Sequence, residues 1–299
     1  RSFDLCFYAM YSSIFKSYDI RALCPEEFRP EDGEKIARAY SSLYPVQRVV
    51  VGHDMRETSA PIEAAVLRGF LAAGIHVTKI GLCSTPMFNF AVGEEPGKYD
   101  LGLMITASHN PAQYNGIKIA TADRVQLGLG TGLERIRDRA ASNEPFMDAN
   151  EPGSVSEDPD LRKRYLDRVF SLVQRDPLTP QAKIVIDAGN GMEGFVAPAF
   201  AERVSELNVI PLYWDLDGRF PNHEANPIKA STLRDLQKTV VAEGALCGFA
   251  FDGDADRVGI VDEKGEQIPG DLFMALLARE MGRSIPALEM IYDVRSSRV

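Results

Sequence analysis

Cysteine is scarce and never closely paired: Cys6, Cys24, Cys83 and Cys247 are the only four in 299 residues, and no CxxC occurs. That scatter excludes a disulfide frame and a cysteine zinc site, and reads as free thiols in a reducing cytoplasm. Positive charge is also short, with 33 Lys and Arg against 43 Asp and Glu, a net charge of −10. A nucleic-acid or anionic-membrane partner would want a basic patch, so neither is expected. No apolar run reaches membrane-spanning length, and no Walker A pattern occurs. Asp4 interrupts the apolar stretch Arg1–Met10 and no A-x-A-like site follows, so no signal peptide is expected there. The chain starts without methionine, which reads as an incomplete or processed N-terminus.

What is present is an ordinary globular composition, 45% apolar and 25% charged, in a chain long enough for two domains and part of a third. Val46–Gly52 and Ile75–Ile80 read as buried strands around a helix capped by Thr58 or Ser59, with Pro61 in its first turn and Gly74 as its stop. Pro30–Tyr40 and Leu133–Ala140 read as helices, and 143–159 as a linker. A second unit follows the same rhythm. It has a helix at 161–173, a strand at 182–186, helical runs at 194–201 and 232–243, and a strand at 247–251. Val258–Asp262 and Gln267–Ile268 form a hairpin across Lys264-Gly265; a helix at 271–281 and a strand at 289–294 follow. Strand, helix, strand in succession means α/β units with mostly parallel sheets.

The stretch Leu101–Ile119 organises the first unit. Leu101–Ile105 is a buried strand, and Thr106-Ala107-Ser108-His109-Asn110-Pro111 turns the chain at its end, where Pro111 forbids helical geometry at Asn110. A serine there is held at the carboxyl edge of the sheet, the edge where open α/β sheets bind ligands. Asn115-Gly116 reads as a second turn, after which Lys118 projects from an apolar strand. A Ser-His pair in a loop is by itself a weak signal, about as well explained by a solvated turn.

His53, Asp54 and Arg56 stand at another strand's carboxyl end; a cap or salt bridge explains them better than a ligand contact. Asp187-Ala188-Gly189-Asn190-Gly191 could cradle an anion on backbone N–H groups, although it is read as lacking the G-x-G-x-x-G and Walker A patterns. A strand-to-helix turn that needs glycine is the better reading.

Asp252-Gly253-Asp254-Ala255-Asp256-Arg257 places three carboxylates at alternate positions after an apolar strand. Such crowding raises carboxylate pKa values unless a cation neutralises it, and oxygen-only ligands select a hard cation. Glu263 falls at the twelfth position of an EF-hand count. Arg257 nevertheless replaces the required glycine and strands flank the loop, so an EF-hand is excluded.

TASHNP followed by NGIK, Tyr18-Asp19-Ile20-Arg21 near the start, and D-G-D-x-D-R at Asp252–Arg257 together resemble the α-D-phosphohexomutases, the phosphomannomutase/phosphoglucomutase family. Ala22 stands where that family usually has glycine. The resemblance runs from about Ile14 to the last residue. It implies repeated three-layer α/β domains: a first at 14–142 with the phosphoserine loop, a second at 158–257 ending in the metal loop, and the start of a third at 258–299. It implies a phosphoryl group carried on Ser108, and one Mg²⁺ held by Asp252, Asp254, Asp256 and the phosphate on Ser108. Arg21 and Arg257 would brace that phosphate, and Lys118 or His109 would carry or orient protons. The implied activity interconverts hexose 1-phosphates and hexose 6-phosphates of mannose or glucose, with glucose 1,6-bisphosphate or an equivalent as activator. TASHNP leans toward this branch over phosphoglucosamine mutase, which stands as the alternative beside a noncatalytic metal- and phosphosugar-binding fragment. No G-E-M-S-G-H-type sugar loop and no fourth-domain phosphate loop is found. Little turnover is therefore expected of these 299 residues alone.

Overall fold

In the computed structural model, residues 10–172, 181–285, 287–294 and 296–297 are described. Cys6, most of the Arg1–Met10 stretch and Val173 lie outside them. The first unit runs β1 (Ile20–Leu23), α1 (Pro30–Leu43), β2 (Arg48–His53), α2 (Ser59–Ala72), β3 (His76–Leu82), α3 (Thr85–Gly93), β4 (Leu101–Ile105), β5 (Tyr114–Thr121), α4 (Leu133–Ala141) and β6 (Val155–Glu157). After α5 (Leu161–Leu172) come β7 (Lys183–Asp187), α6 (Glu193–Arg203), β8 (Asn208–Leu212), α7 (Arg234–Glu243), β9 (Cys247–Phe251), β10 (Val258–Asp262), β11 (Gln267–Ile268) and α8 (Gly270–Gly282).

Two mixed sheets result. The first has strand order β1-β5-β4-β2-β3-β6, parallel from β4 through β6, with β5 and β1 antiparallel at one side. The second is β11-β10-β9-β7-β8, parallel across β9-β7-β8. Alternation along β2 and β4 explains the layering. Val49, Val51, Leu101 and Leu103 face Ile36, Ile62, Val66 and Phe70, while Val50 and Met104 face Met87, Phe88 and Val92 of α3. Each such fully buried aliphatic or aromatic side chain stabilises the fold by about 1.5–3 kcal/mol. Leu161 and Leu166 of α5 and Val196 of α6 join the α3 layer, so the second unit is packed onto the first through an apolar seam. In the second sheet Val185, Ala250 and Val261 face α7, and Ile184, Ile186, Phe249 and Phe251 lie in the other layer with Ala197 of α6.

Several expectations are corrected. Asn115-Gly116 is no turn but the beginning of β5, paired with Ala22 and Arg21 of β1. Glycine is needed at 116 because a Cβ there would stand 2.0 Å from the Ile20 carbonyl oxygen. Thr58 makes no side-chain cap to α2; its hydroxyl and that of Ser59 instead accept from Asn115 Nδ2. The 143–159 segment contains β6, an exposed edge strand on β3. The β10–β11 hairpin is hydrogen-bonded to β9, so the sequence reading's start of a third unit at Val258 falls within the second sheet. Residues 289–294 form no strand: Ile291 and Val294 are almost fully exposed and no neighbouring strand pairs with them. Among the described residues no helix is long and apolar enough to cross a membrane.

Candidate functional site

Ser108 sits just past β4, fully buried, with φ +52°. A non-glycine residue pays about 1–2 kcal/mol for that left-handed geometry, so its surroundings must hold it there. They do so at three atoms. The Ser108 N–H donates to Thr106 Oγ1 at 2.9 Å, its carbonyl accepts from Arg56 Nη2 at 2.8 Å, and its Oγ donates to Asp252 Oδ2 at 2.7 Å.

Asp252–Arg257 is the turn between antiparallel β9 and β10, as the flanking strands required, and it meets the Ser108 turn from the opposite sheet. Asp252 Oδ1 accepts the Asp256 and Arg257 N–H groups, both at 3.0 Å, while Ala255 takes φ +60° to close the turn. Asp254 is fully buried: Oδ2 accepts from Thr85 Oγ1 at 2.6 Å and Lys118 Nζ at 2.7 Å, and Oδ1 takes no hydrogen bond. One ligand oxygen from each of Asp252, Asp254 and Asp256 lies within 4.8 Å of the others. Burial, then the neighbouring Asp254 and Asp256 charges, push Asp252 up to about 8. Burial also works against the Asp254 carboxylate, but Lys118 outweighs it and holds the group below the usual range. Three crowded carboxylates with a free buried lone pair form a set that could hold a metal ion, and all-oxygen donors suit a hard divalent cation.

The expected cations gather around this junction. Arg21, on β1, donates to Asn110 Oδ1 at 3.0 Å and pairs with Asp19; its Nε is buried without a partner. Lys118 bridges Asp254 and Asp256, each at 2.7 Å. Burial draws the Lys118 ammonium toward neutrality, yet the two carboxylates prevail and raise its pKa. Arg257 Nη1 approaches His109 Nδ1 at 2.7 Å. A guanidinium can only donate, so Nδ1 accepts and His109 is neutral with its proton on Nε2. Burial, Arg257 and Arg21 all lower the His109 pKa, which favours that form. The same Nδ1 lies 3.4 Å from Ser108 Oγ.

Both halves of this junction match known domains. The description "Phosphoglucomutase/phosphomannomutase, alpha/beta/alpha domain I" fits residues 12–145, which carry Ser108, and that of domain II fits residues 163–265, which carry Asp252–Arg257. The chain belongs to the phosphoglucomutase/phosphomannomutase family. It is 35% identical over 291 residues to a Phosphomannomutase/phosphoglucomutase of Pseudomonas aeruginosa, covering 96% of this chain and 60% of that protein. It is likewise 35% identical over 288 residues to an Escherichia coli K12 Phosphomannomutase, covering 95% and 62%. A crystal structure of a Phosphoglucomutase/phosphomannomutase family protein from Burkholderia thailandensis superimposes with a TM-score of 0.87 at 30% identity, covering 97% of this chain and 63% of that one. The chain thus spans about 60% of the length of these family members.

Three further residues shape this phosphohexomutase-family site and were not read as such in the sequence. Thr85 fixes the carboxylate loop from the first unit, its N–H donating to the Asp254 carbonyl at 2.9 Å beside the side-chain bond. Arg56 lies beneath the Ser108 loop, salt-bridged to Asp54 as expected. Phe220, at φ +52°, sets its ring 5.1 Å from the Arg56 guanidinium. The only local hint was position: Arg56 and Thr85 follow the carboxyl ends of β2 and β3. Gly189, Gly191 and Gly194 do carry the G-x-G-x-x-G spacing between β7 and α6, which corrects the expectation that this loop lacks the pattern. The loop is nonetheless no anion cradle. The Gly189, Asn190, Gly191 and Met192 N–H groups donate to Asp187 Oδ1 and to the Tyr213, Ala188 and Gly253 carbonyls.

Proposed function

We propose that this chain carries the phosphoryl-transfer centre of an α-D-phosphohexomutase, acting on the 1- and 6-phosphates of mannose or glucose through a phosphate on Ser108. The observation that carries the reading is the Ser108 Oγ–Asp252 Oδ2 contact of 2.7 Å, which joins the two family motifs in one site. In the forward step a sugar hydroxyl loses its proton and its oxygen bonds to phosphorus as the phosphorus–Oγ bond breaks, and Oγ takes a proton, so one proton is given up and one is taken. The bisphosphorylated sugar then returns its other phosphate: the Ser108 hydroxyl loses its proton, Oγ bonds to that phosphorus as the phosphorus–sugar oxygen bond breaks, and the freed sugar oxygen takes a proton.

Asp252, Asp254, Asp256 and the phosphate of Ser108 would hold one Mg²⁺, which supplies charge neutralisation for the transferring phosphate. His109, neutral with Nδ1 unprotonated and 3.4 Å from Oγ, is placed to accept the Ser108 hydroxyl proton in the return step. Lys118, kept charged by two carboxylates, orients Asp254 and Asp256. Arg257, 40% exposed at its side chain and adjacent to His109, turns to the phosphate, while Arg21 braces it from β1.

Incubation with glucose 1,6-bisphosphate should give, by intact-protein mass spectrometry, a species heavier by about one phosphate. Ser108→Ala should lose it. The same added mass on the alanine variant would place the phosphate elsewhere and remove Ser108 from the reaction.

A further inference from the structure

Arg56 is 1% exposed at its side chain, and all five guanidinium N–H groups have partners in the protein. Nη2 donates to the Ser108 carbonyl at 2.8 Å and the Asn110 carbonyl at 2.7 Å. Nη1 donates to the Pro111 carbonyl at 2.8 Å and the Tyr114 carbonyl at 2.9 Å. Nε donates to Asp54 Oδ2 at 3.2 Å. The four carbonyls span the whole turn from Ser108 to the start of β5, a segment with no sheet ladder of its own. No donor is left over for a substrate, which separates Arg56 from Arg21 and Arg257.

We infer that Arg56 is the positioning residue of the Ser108 loop, setting the carbonyls of 108, 110, 111 and 114 so that Ser108 Oγ is aimed at the carboxylate loop. The inference deepens the proposed function and rests on it for the catalytic part of its test. Asp54 fixes the guanidinium in turn: Oδ2 takes the Nε bond, while Oδ1 accepts the Ser59 hydroxyl and the Arg56 N–H. From the second unit, the Phe220 ring covers the guanidinium at 5.1 Å, and a Cβ on Gly253 would contact both Ser108 O and that ring. Through Phe220 and Gly253 the second unit thus packs directly on Arg56 and on the Ser108 carbonyl. A lysine has three donors and no planar fork, so it cannot serve four carbonyls and a carboxylate together.

Single-turnover phosphorylation of Ser108 by glucose 1,6-bisphosphate in Arg56→Lys tests this, with hydrogen exchange of the 106–114 amides as a second readout. The expected result is a maximal rate lower by about tenfold or more, a half-saturating bisphosphate concentration changed by less than about twofold, and faster exchange confined to the loop. Phe220→Leu, which leaves all five hydrogen bonds in place, should shift both readouts in the same sense but less, and it decides the matter if Arg56→Lys does not fold. A folded variant with the wild-type rate, or unchanged loop exchange, would overturn the inference. So would a half-saturating concentration that rises in step with the loss of rate, because Arg56 would then be touching substrate. If the wild-type chain takes no phosphate on Ser108, the proposed function fails and amide exchange alone decides for or against the positioning role.

Discussion

Ser108 Oγ donates to Asp252 Oδ2 across 144 residues of chain and from one sheet to the other. Two strained turns face each other at that contact, Ser108 at φ +52° and Ala255 at φ +60°. Strain of this kind persists only where the surroundings over-determine it. Here the surroundings are Arg56 and Thr106 on one side and the Asp252 Oδ1 bonds on the other.

Gly253 sets how close the two turns come. An added Cβ would stand 2.4 Å from the Ser108 carbonyl oxygen, a backbone atom that cannot swing away. Gly253→Ala is expected to push the loops apart, with destabilisation of about 1–3 kcal/mol and a loss of Ser108 phosphorylation of about tenfold or more. Thermal melts and the intact-mass time course measure the two effects. A normal phosphorylation rate in the alanine variant would mean that the close approach of the backbones is incidental.

Thr85→Val removes the 2.6 Å bond to Asp254 Oδ2 while keeping the side chain's volume. Asp254 keeps Lys118, but loses the neutral donor that fixes its rotamer. Residues that orient a ligand in this way are typically worth 10–100-fold in metal affinity, so Mg²⁺ binding should weaken by about that range. Titration calorimetry on the variant measures it. Unchanged affinity would show that Lys118 alone orients the carboxylate.

The parts of this molecule legible in the sequence were those whose causes are local. Cys247–Phe251, Val258–Asp262 and Leu101–Ile105 are apolar runs bounded by turn residues, and the strands fall where those runs fall. The three aspartates stood out by spacing, whereas Ser108, His109 and Lys118 were singled out by their place after β4 and by the family resemblance; the structure gathers all six. Asn115-Gly116 misled because its turn propensity is overridden by pairing with β1, a partner more than ninety residues earlier. β8 carries Pro211, tolerated because it is an edge strand, and β6 has no buried residue to mark it. Arg56 and Thr85 have partners 52 and 169 residues away, so nothing adjacent in the chain announces their roles.

His223 offers a pH-dependent contribution away from the phosphoryl site. Its Nε2 lies 3.0 Å from the fully buried Asp187 Oδ2, and Nδ1 faces the Glu224 carbonyl. Burial opposes the imidazolium, but the Asp187 bond and charge, helped by Asp235, raise its pKa above 6.5. A raised folded-state value means the stabilisation is fully present below pH 6.5 and is lost as pH climbs through the folded pKa. His223→Gln should therefore lower Tm most at pH 6, by the equivalent of about 1.5–3 kcal/mol, with the gap to wild type shrinking toward pH 8.5. Melts at stepped pH measure the gap. A difference that stays constant with pH would assign His223 a packing role only.

The carboxylate loop and Ser108 share one point in space, and that has a thermodynamic consequence. A phosphate on Ser108 adds about two negative charges beside Asp252, Asp254 and Asp256, which Lys118 and Arg257 only partly offset. A divalent cation neutralises that excess, so each should bind more tightly in the presence of the other. Mg²⁺ is expected to bind the phosphorylated chain about tenfold or more tighter than the unphosphorylated one. Calorimetric titration of both forms, prepared by bisphosphate treatment and by Ser108→Ala, gives the comparison directly. Equal affinities would mean that the metal and the phosphate do not meet, and the two motifs would then have to be read as separate sites.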